Sequence, residues 1–208
     1  MDIKIAVALI AGSITALGWV ANHILSSRRE AKRVEVQEKL DFTKEQLEKL
    51  YGPLAFVILE GRRTWSDLLT VLGRDIVFEG SNELPEHEQQ TWKFWVDYEF
   101  LPRNRKIRDL LESNTHLIEG ESIPKSYSDF IEHESSWRLR YARWEKEGGE
   151  YPWTSSTNWP NHFEKDVLNT FRVLKARQHK LSGFVTKGAQ HLYGLPLSRK
   201  NFTLGSEG

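Results

Sequence analysis

An apolar stretch without formal charge runs from Ile5 to Leu25 and reads IAVALIAGSITALGWVANHIL. As a helix rising 1.5 Å per residue, about 21 residues cover the roughly 30 Å hydrocarbon layer of a bilayer. Trp19 lies about one turn before the end of the stretch, where interfacial aromatic residues are usual. The alternatives are a cleaved signal peptide, which would show a small-residue cleavage site, and a buried helix of a globular domain. The pattern predicts a single transmembrane helix.

Basic residues flank this stretch unequally. Arg28, Arg29, Lys32 and Arg33 follow it, whereas Lys4 precedes it. Because basic residues are retained on the cytoplasmic side of a membrane, the asymmetry places residues 28–208 in the cytoplasm. The predicted localisation is therefore the inner membrane, crossed once, with the C-terminal domain in the cytoplasm.

Small residues recur every four positions within the apolar stretch, at Ala8, Gly12 and Ala16. On one face of a helix, small residues let two helices in lipid approach closely enough to pack. The spacing predicts that the anchors associate, so that the membrane and a second copy of the chain are expected partners.

A second apolar stripe follows the basic residues, with steps that alternate between four and three. This is the heptad spacing of a helix that packs on a neighbour. The stripe consists of Val36, Leu40, Leu47, Leu50, Leu54 and Val57, with Thr43 at the missing position. The neighbour is either the domain's own helices or the same helix of another subunit. In the second case Leu40, Leu47, Leu50 and Leu54 are oligomerisation residues.

The rest of the chain shows helical spacing interrupted by Gly and Pro. The predicted fold class is all-α, with an N-terminal single transmembrane helix followed by a cytoplasmic helical bundle. Its predicted parts are a membrane anchor (1–27), juxtamembrane amphipathic helices (28–72), a Trp-rich helical domain (73–187) and an irregular tail (188–208). The residues predicted to be buried are Trp95, Phe100, Phe130, Trp137, Trp144, Phe163, Phe171 and Leu174.

Charge and composition exclude several kinds of function. Lys plus Arg and Asp plus Glu are equal at 29 each, and this balance argues against a protein that binds nucleic acid with its whole surface. The chain has no Cys, so no thiolate ligand or Cys nucleophile is available. His133 and Glu134 are adjacent, but the His and carboxylate spacing of metalloenzymes does not occur. The sequence predicts no metal and no cofactor.

Arg172 and His179 stand seven residues apart on a predicted helix, and therefore on nearly the same face. In metal-free RNA cleavage a His transfers the proton and a cation stabilises the phosphorane charge. The alternative is that both are ordinary surface residues. The pair resembles the R-x4–6-H signature of the HEPN ribonuclease superfamily, which implies helical bundles that dimerise to build a composite catalytic site. Val173 stands where that family usually has a polar residue.

The segment from Trp137 to Trp144 alternates aromatic residues with Arg. Such a segment can stack on and clamp a nucleotide or RNA, because every base has an aromatic face. It is equally consistent with a helix whose Trp and Tyr residues are core and whose Arg residues are solvated or paired.

The general layout consists of an N-terminal span, a basic juxtamembrane helix with the motif KLYGPL (Lys49 to Leu54) and a Trp-rich helical domain. Together with the Arg–His pair, it is similar in outline to the membrane-anchored, divergent-HEPN accessory proteins of CRISPR type VI-B systems. That resemblance implies an oligomeric membrane effector of anti-phage defence.

Three hypotheses follow. The first is an oligomeric single-pass membrane protein that acts on the membrane as an anti-phage or stress effector. The second is a membrane-tethered, HEPN-like ribonuclease or nucleotide sensor, with RNA or a nucleotide as ligand and Arg172 and His179 as catalytic residues. The third is a non-enzymatic membrane adaptor that localises a soluble protein partner.

Overall fold

The structure is a computed structural model that describes the backbone of residues 3–78 and 84–193 and the side chains of residues 17–78 and 84–186. Within these ranges the chain is all-helical and contains no β-strand. The α-helices are α1 (Ile3–Glu45), α2 (Gly52–Leu72), α3 (Glu86–Trp95), α4 (Leu101–Ser113), α5 (Lys125–Glu147) and α6 (Asn161–Tyr193). A short 3-10 turn, Thr115–Leu117, follows α4.

Two π-helical segments, Gln46–Tyr51 and Val96–Phe100, join α1 to α2 and α3 to α4. Each lies just before a proline in the first turn of the next helix, Pro53 or Pro102. Proline has no N–H and its ring crowds the carbonyl four residues back, so the helix widens there instead of breaking. The N–H groups before the two prolines accordingly donate to carbonyls five residues back.

Gly52 is required by the first of these segments. A Cβ added at Gly52 would lie 2.4 Å from the carbonyl oxygen of Leu47, which accepts the hydrogen bond from the N–H of Gly52. A larger residue would therefore push apart the turn that carries Leu50 and Tyr51 into the core.

The described residues divide into two compact units, and most of the buried side chains belong to the unit Thr43–Ala176. This unit has two apolar clusters. The first contains Leu47, Leu50, Tyr51, Leu54, Val57, Ile58, Ile107, Leu111, Leu117, Tyr127, Phe130, Phe163, Val167 and Leu174. The second contains Leu68, Val77, Leu84, Trp92, Val96, Phe100, Trp137, Tyr151 and Trp153. The predicted boundary at residue 72 therefore falls inside a single unit.

The predicted set of buried residues is largely confirmed. Phe100, Phe130, Trp137, Phe163 and Leu174 are buried. The other members of the set pack beside the two clusters and are partly exposed, namely Trp95, Trp144 and Phe171. The helical spacing of apolar residues thus identified the inward faces of the second π-helical segment, α5 and α6.

The heptad stripe packs within the chain itself. Leu47, Leu50 and Leu54 belong to the first apolar cluster, and Leu40 is also buried. Of the two neighbours that the stripe allowed, the structure shows the domain's own helices. These side chains are therefore already covered within one protomer, and an oligomer interface through them would require opening the core.

The structure corrects the transmembrane prediction. Among the residues with described side chains, no helix is both long enough and apolar enough to cross a bilayer. Helix α1 continues without a break past Leu25, and Arg28 and Arg29 follow within one turn. The fold is all-α without a supported membrane anchor, and the inner-membrane localisation, which depended on that anchor, is corrected with it. The association face at Ala8, Gly12 and Ala16 lies outside the described side chains.

The last helix is longer than predicted. Helix α6 begins at Asn161 and extends to Tyr193, and so it includes the first residues of the predicted irregular tail. Residues 194–208 lie outside the described part of the chain.

Leu50 and Leu59 offer a matched pair for testing these helix faces. Leu50 is completely buried in the first cluster, whereas Leu59 on α2 is exposed. Leu50→Ala should lower the free energy of unfolding by about 2–5 kcal/mol, because it removes apolar contacts and leaves a cavity. Leu59→Ala should change it by less than about 0.5 kcal/mol. Urea denaturation of both variants measures the difference, and equal losses would show that the faces are assigned wrongly.

Candidate functional site

A cavity of about 500 Å³ lies within the unit Thr43–Ala176. Helices α2, α3, α4, α5 and α6 contribute to its wall, together with the loop of residues 148–160 that joins α5 to α6. Aromatic side chains make up much of the lining, namely Trp65, Phe78, Trp92, Phe100, Trp137 and Trp159. This volume and this apolar lining are typical of sites for small organic ligands.

Two helices face the cavity with the same spacing. Positions i, i+3, i+4 and i+7 lie on one side of a helix. On α2 these positions are Ile58, Gly61, Arg62 and Trp65. From the end of the second π-helical segment into α4 they are Phe100, Arg103, Asn104 and Ile107. The cavity is therefore built where the faces of two amphipathic helices include Gly, Arg and Asn among apolar residues.

The side chain of Arg103 passes close to the backbone of α2 at Gly61. A Cβ added at Gly61 would lie 2.9 Å from Cδ, Nε and Cζ of Arg103, so only glycine leaves this space free. The guanidinium donates from Nη1 to Glu99 Oε1 at 2.9 Å and to Thr64 Oγ1 at 3.1 Å. Burial lowers the pKa of Arg103 from its ordinary value, and the carboxylate of Glu99 opposes that shift. The charge is thus held in a nearly enclosed position by one carboxylate.

His133 on α5 fixes the loop that closes the cavity. Its Nδ1 lies 2.8 Å from the carbonyl oxygen of Thr157, so Nδ1 carries the proton and donates. The hydroxyl of Ser155 donates in turn to the carbonyl of His133 at 3.1 Å. Burial lowers the pKa of His133, although Thr157 and Glu134 act in the opposite direction. The ring is therefore a neutral group that positions the loop through Nδ1.

Glu164 links three parts of the wall. Its Oε2 accepts from Nε of Arg62 on α2 at 2.6 Å, and its Oε1 accepts from the indole N–H of Trp159 at 2.8 Å. Because Glu164 is part of α6, this one carboxylate connects α2, α6 and the 148–160 loop. Hydrogen bonds to a charged group are stronger than neutral ones, so the connection holds Trp159 in a defined orientation.

Four residues of the lining each carry a buried hydrogen-bonding atom that has no partner among the described residues. These are the indole N–H groups of Trp92 and Trp137, Oδ1 of Asn104 and the hydroxyl of Thr157. Trp92 is 3%, Asn104 2% and Trp137 7% exposed, so bulk water does not reach these side chains freely. An unpaired buried polar group costs about 1–3 kcal/mol. Their clustering in one cavity indicates a site that a polar ligand completes.

The residues predicted as catalytic lie elsewhere. Arg172 and His179 are both exposed on α6, and neither lines the cavity. Nη1 of Arg172 donates to Oδ1 of Asn169 at 2.8 Å. The ribonuclease hypothesis needs a second subunit to complete such a site, and it stays a prediction.

The aromatic and basic segment of α5 has mixed roles. Trp137 lines the cavity, as a base-stacking residue would, but the Arg residues of the segment are engaged within the chain. Arg138 pairs with Glu134 at 3.0 Å, Arg143 pairs with Glu147 at 2.6 Å, and Arg140 donates to the carbonyl of Thr154 at 3.2 Å. The segment therefore supplies a wall of the cavity and not a basic clamp.

The described residues contain no group of three or more His, Asp and Glu side chains that could hold a metal ion. The lining of the cavity combines aromatic faces, fixed donors and acceptors and two paired guanidinium groups. The helical pattern did not identify it, although Gly61 and Asn104 within otherwise apolar faces are the signal that could have done so.

The pH dependence of stability tests the role of His133. An unfolded chain protonates His below about pH 6.5, whereas the folded state keeps His133 neutral to a lower pH. Its contribution to stability is therefore complete above about pH 6.5 and is lost as the pH falls toward the folded-state pKa. Urea denaturation at about pH 7.5 and about pH 5.5 should show this loss. His133→Gln should reduce it, whereas His116→Gln at an exposed position should not; equal pH dependence in all three proteins would contradict the assignment.

No known protein family, curated protein or solved structure matches the chain. The resemblance to divergent HEPN proteins accordingly stays a prediction, and the function is argued from the chemistry of the cavity.

Proposed function

We propose that the unit Thr43–Ala176 is a binding module for a small, planar, aromatic ligand, with the properties of a ligand sensor. The observation that carries the proposal is that aromatic walls and unpartnered hydrogen-bonding groups occur together in one cavity. Of the three hypotheses from sequence, this one is closest to the nucleotide sensor. Oligomerisation and an effector role in defence stay predictions.

Aromatic walls favour a flat ligand. The indoles of Trp92 and Trp137 are nearly parallel, with an angle of 20° between their planes and 6.4 Å between their centroids. Trp159 and Trp137 each meet the ring of His133 edge to face. Stacking of an aromatic base on such side chains contributes about 1–3 kcal/mol per base, and it requires a flat partner.

The polar groups favour a heterocycle over a hydrocarbon. A purely apolar ligand would leave two indole donors and the Asn104 acceptor unpaired, so the free-energy cost of these buried groups would remain. Ring nitrogens, carbonyl groups and amino groups at the edge of a planar ligand can pair with them. These are the features by which ligand sites combine an apolar lining with a few directed polar contacts.

A sensor also needs a part that responds to the ligand. The 148–160 loop contributes Thr154, Ser155, Thr157 and Trp159 to the lining, and it belongs to neither of the helices that flank it. A ligand that contacts this loop together with α2 and α4 would favour the closed arrangement by its differential affinity for that state. Ligand binding would thus make the 148–160 loop more ordered.

Tryptophan fluorescence provides the direct test, because four of the chain's eight Trp residues line the cavity. Titration with quinoline and adenine should give saturable quenching by at least one of these uncharged planar probes. The same probe should raise the midpoint of unfolding. At a free probe concentration a hundred times its Kd, the free energy of unfolding should rise by about 2.7 kcal/mol.

Gly61→Leu is the informative variant, because its side chain would meet Arg103 and fill the cavity. It should abolish saturable quenching while the helical circular dichroism is retained. Gly18→Leu is the matched control, since a Cβ at Gly18 meets nothing within 4 Å. If Gly61→Leu does not fold, Asn104→Leu replaces it. The proposal fails if no probe saturates the wild-type protein, or if a folded cavity variant binds as well as the wild type.

A further inference from the structure

We infer that the ligand of this cavity is an uncharged adenine-type heterocycle, either the free base or its nucleoside, and not a phosphorylated nucleotide. The inference rests on the proposed function and adds to it the charge and the hydrogen-bonding pattern of the ligand. It follows from the ion pairs at the cavity and from the unpartnered groups in its lining.

The guanidinium groups of the lining are already neutralised. Arg62 pairs with Glu164 at 2.6 Å, and Arg103 pairs with Glu99 at 2.9 Å. A phosphate would have to break one of these pairs before it could gain a cation, and it would be placed beside the released carboxylate. Sites that select phosphate offer guanidinium forks that can bind the anion directly. The cavity therefore disfavours an anionic ligand.

A cationic ligand is disfavoured by the same residues. Aromatic cages bind an organic cation that lies directly over their ring faces. Here the guanidinium carbon of Arg103 lies 5.2 Å from the ring centroid of Phe100, which lines the cavity. That aromatic face is already used by a cation of the protein, and a second cation nearby would be repelled. A ligand without net charge fits both sets of contacts.

The unpartnered groups specify the edges of the ligand. The indole N–H groups of Trp92 and Trp137 each require an acceptor, and Oδ1 of Asn104 requires a donor. Adenine has acceptor nitrogens around its rings and an exocyclic amino group, and the amide of Asn pairs well with its N6 and N7 edge. The hydroxyl of Thr157 can donate or accept and so suits either edge.

The discriminating experiment compares four probes on the wild-type protein by isothermal titration calorimetry. These are adenosine, AMP, phenyltrimethylammonium as a planar cation, and indole as an uncharged ring system without an acceptor nitrogen. Adenosine should bind at least about tenfold more tightly than each of the other three, the ratio that corresponds to one well-made interaction. Asn104→Leu should reduce that advantage over indole, because it removes the acceptor for the amino group.

Glu164→Gln tests the charge argument separately. The amide retains an oxygen for the indole of Trp159, but it no longer neutralises Arg62, so the affinity for AMP should rise relative to that for adenosine. Glu132→Gln, an exposed position on α5 outside the lining, should leave the ratio unchanged.

The outcomes separate the two proposals. Three results would each overturn the inference while the binding module stands. They are tighter binding of AMP or of the cation than of adenosine, equal binding of indole and adenosine, and an affinity ratio of AMP to adenosine that Glu164→Gln does not change. Absence of binding by all four probes, together with failure of the fluorescence titration, would overturn the proposed function itself.

Discussion

Proline at the first turn of α2 and of α4 sets a constraint on which much of this structure depends. At Pro53 and at Pro102 the regular i to i−4 hydrogen bond cannot form, and the chain responds with a π-helical segment just before each proline. A wider turn rotates the residues that follow it about the helix axis. The faces of α2 and α4 that result carry Gly61 and Asn104 into a common cavity. Segments of this kind are often associated with functional sites, and here two of them precede the helices that build one.

The cavity differs from an ordinary packing defect in how its walls are held. An empty space in a core is usually apolar and costs stability through lost contacts. In this case the walls include a buried guanidinium with its carboxylate, an imidazole bound to a carbonyl, and a carboxylate that joins α2 to Trp159. Buried polar networks are stabilising only when their members are satisfied. The groups that position the walls have hydrogen-bond partners, whereas several groups of the lining residues have none. We therefore assign the first set to support of the cavity and the second to the proposed ligand contacts.

Helical spacing was sufficient to predict the all-helical bundle and most of its core. Phe130 on α5 and Phe163 and Leu174 on α6 were assigned to inward faces from their helical spacing, and all three are buried. The transmembrane prediction was wrong, because no helix among the described side chains is both long enough and apolar enough to cross a bilayer. The heptad stripe through Leu47 and Leu50 could not by itself distinguish a partner subunit from the chain's own helices, since both bury the same surface.

The cavity was beyond prediction for a different reason. Its lining is assembled from five helices and a loop, and long-range contacts of this kind leave no periodic signal in the sequence. A Trp at helical spacing is equally consistent with core and with ligand contact, and Trp92 and Trp137 both belong to the second apolar cluster and line the cavity. The pairing of Arg62 with Glu164 joins residues far apart in the chain. Only the folded arrangement shows which charges are neutralised and which donors remain.

The way the 148–160 loop is attached has a consequence for kinetics. Thr154, Ser155 and Thr157 of this loop are connected to α5 by hydrogen bonds, whereas Tyr151 and Trp153 at its start are buried in the second apolar cluster. Segments held by a few polar contacts open at a lower free energy than the core does, on a timescale of microseconds or longer. The amide protons of residues 154–157 should therefore exchange with solvent through local opening, well before global unfolding. A ligand that passes these residues would enter and leave at the frequency of that opening, so they would limit association and release alike.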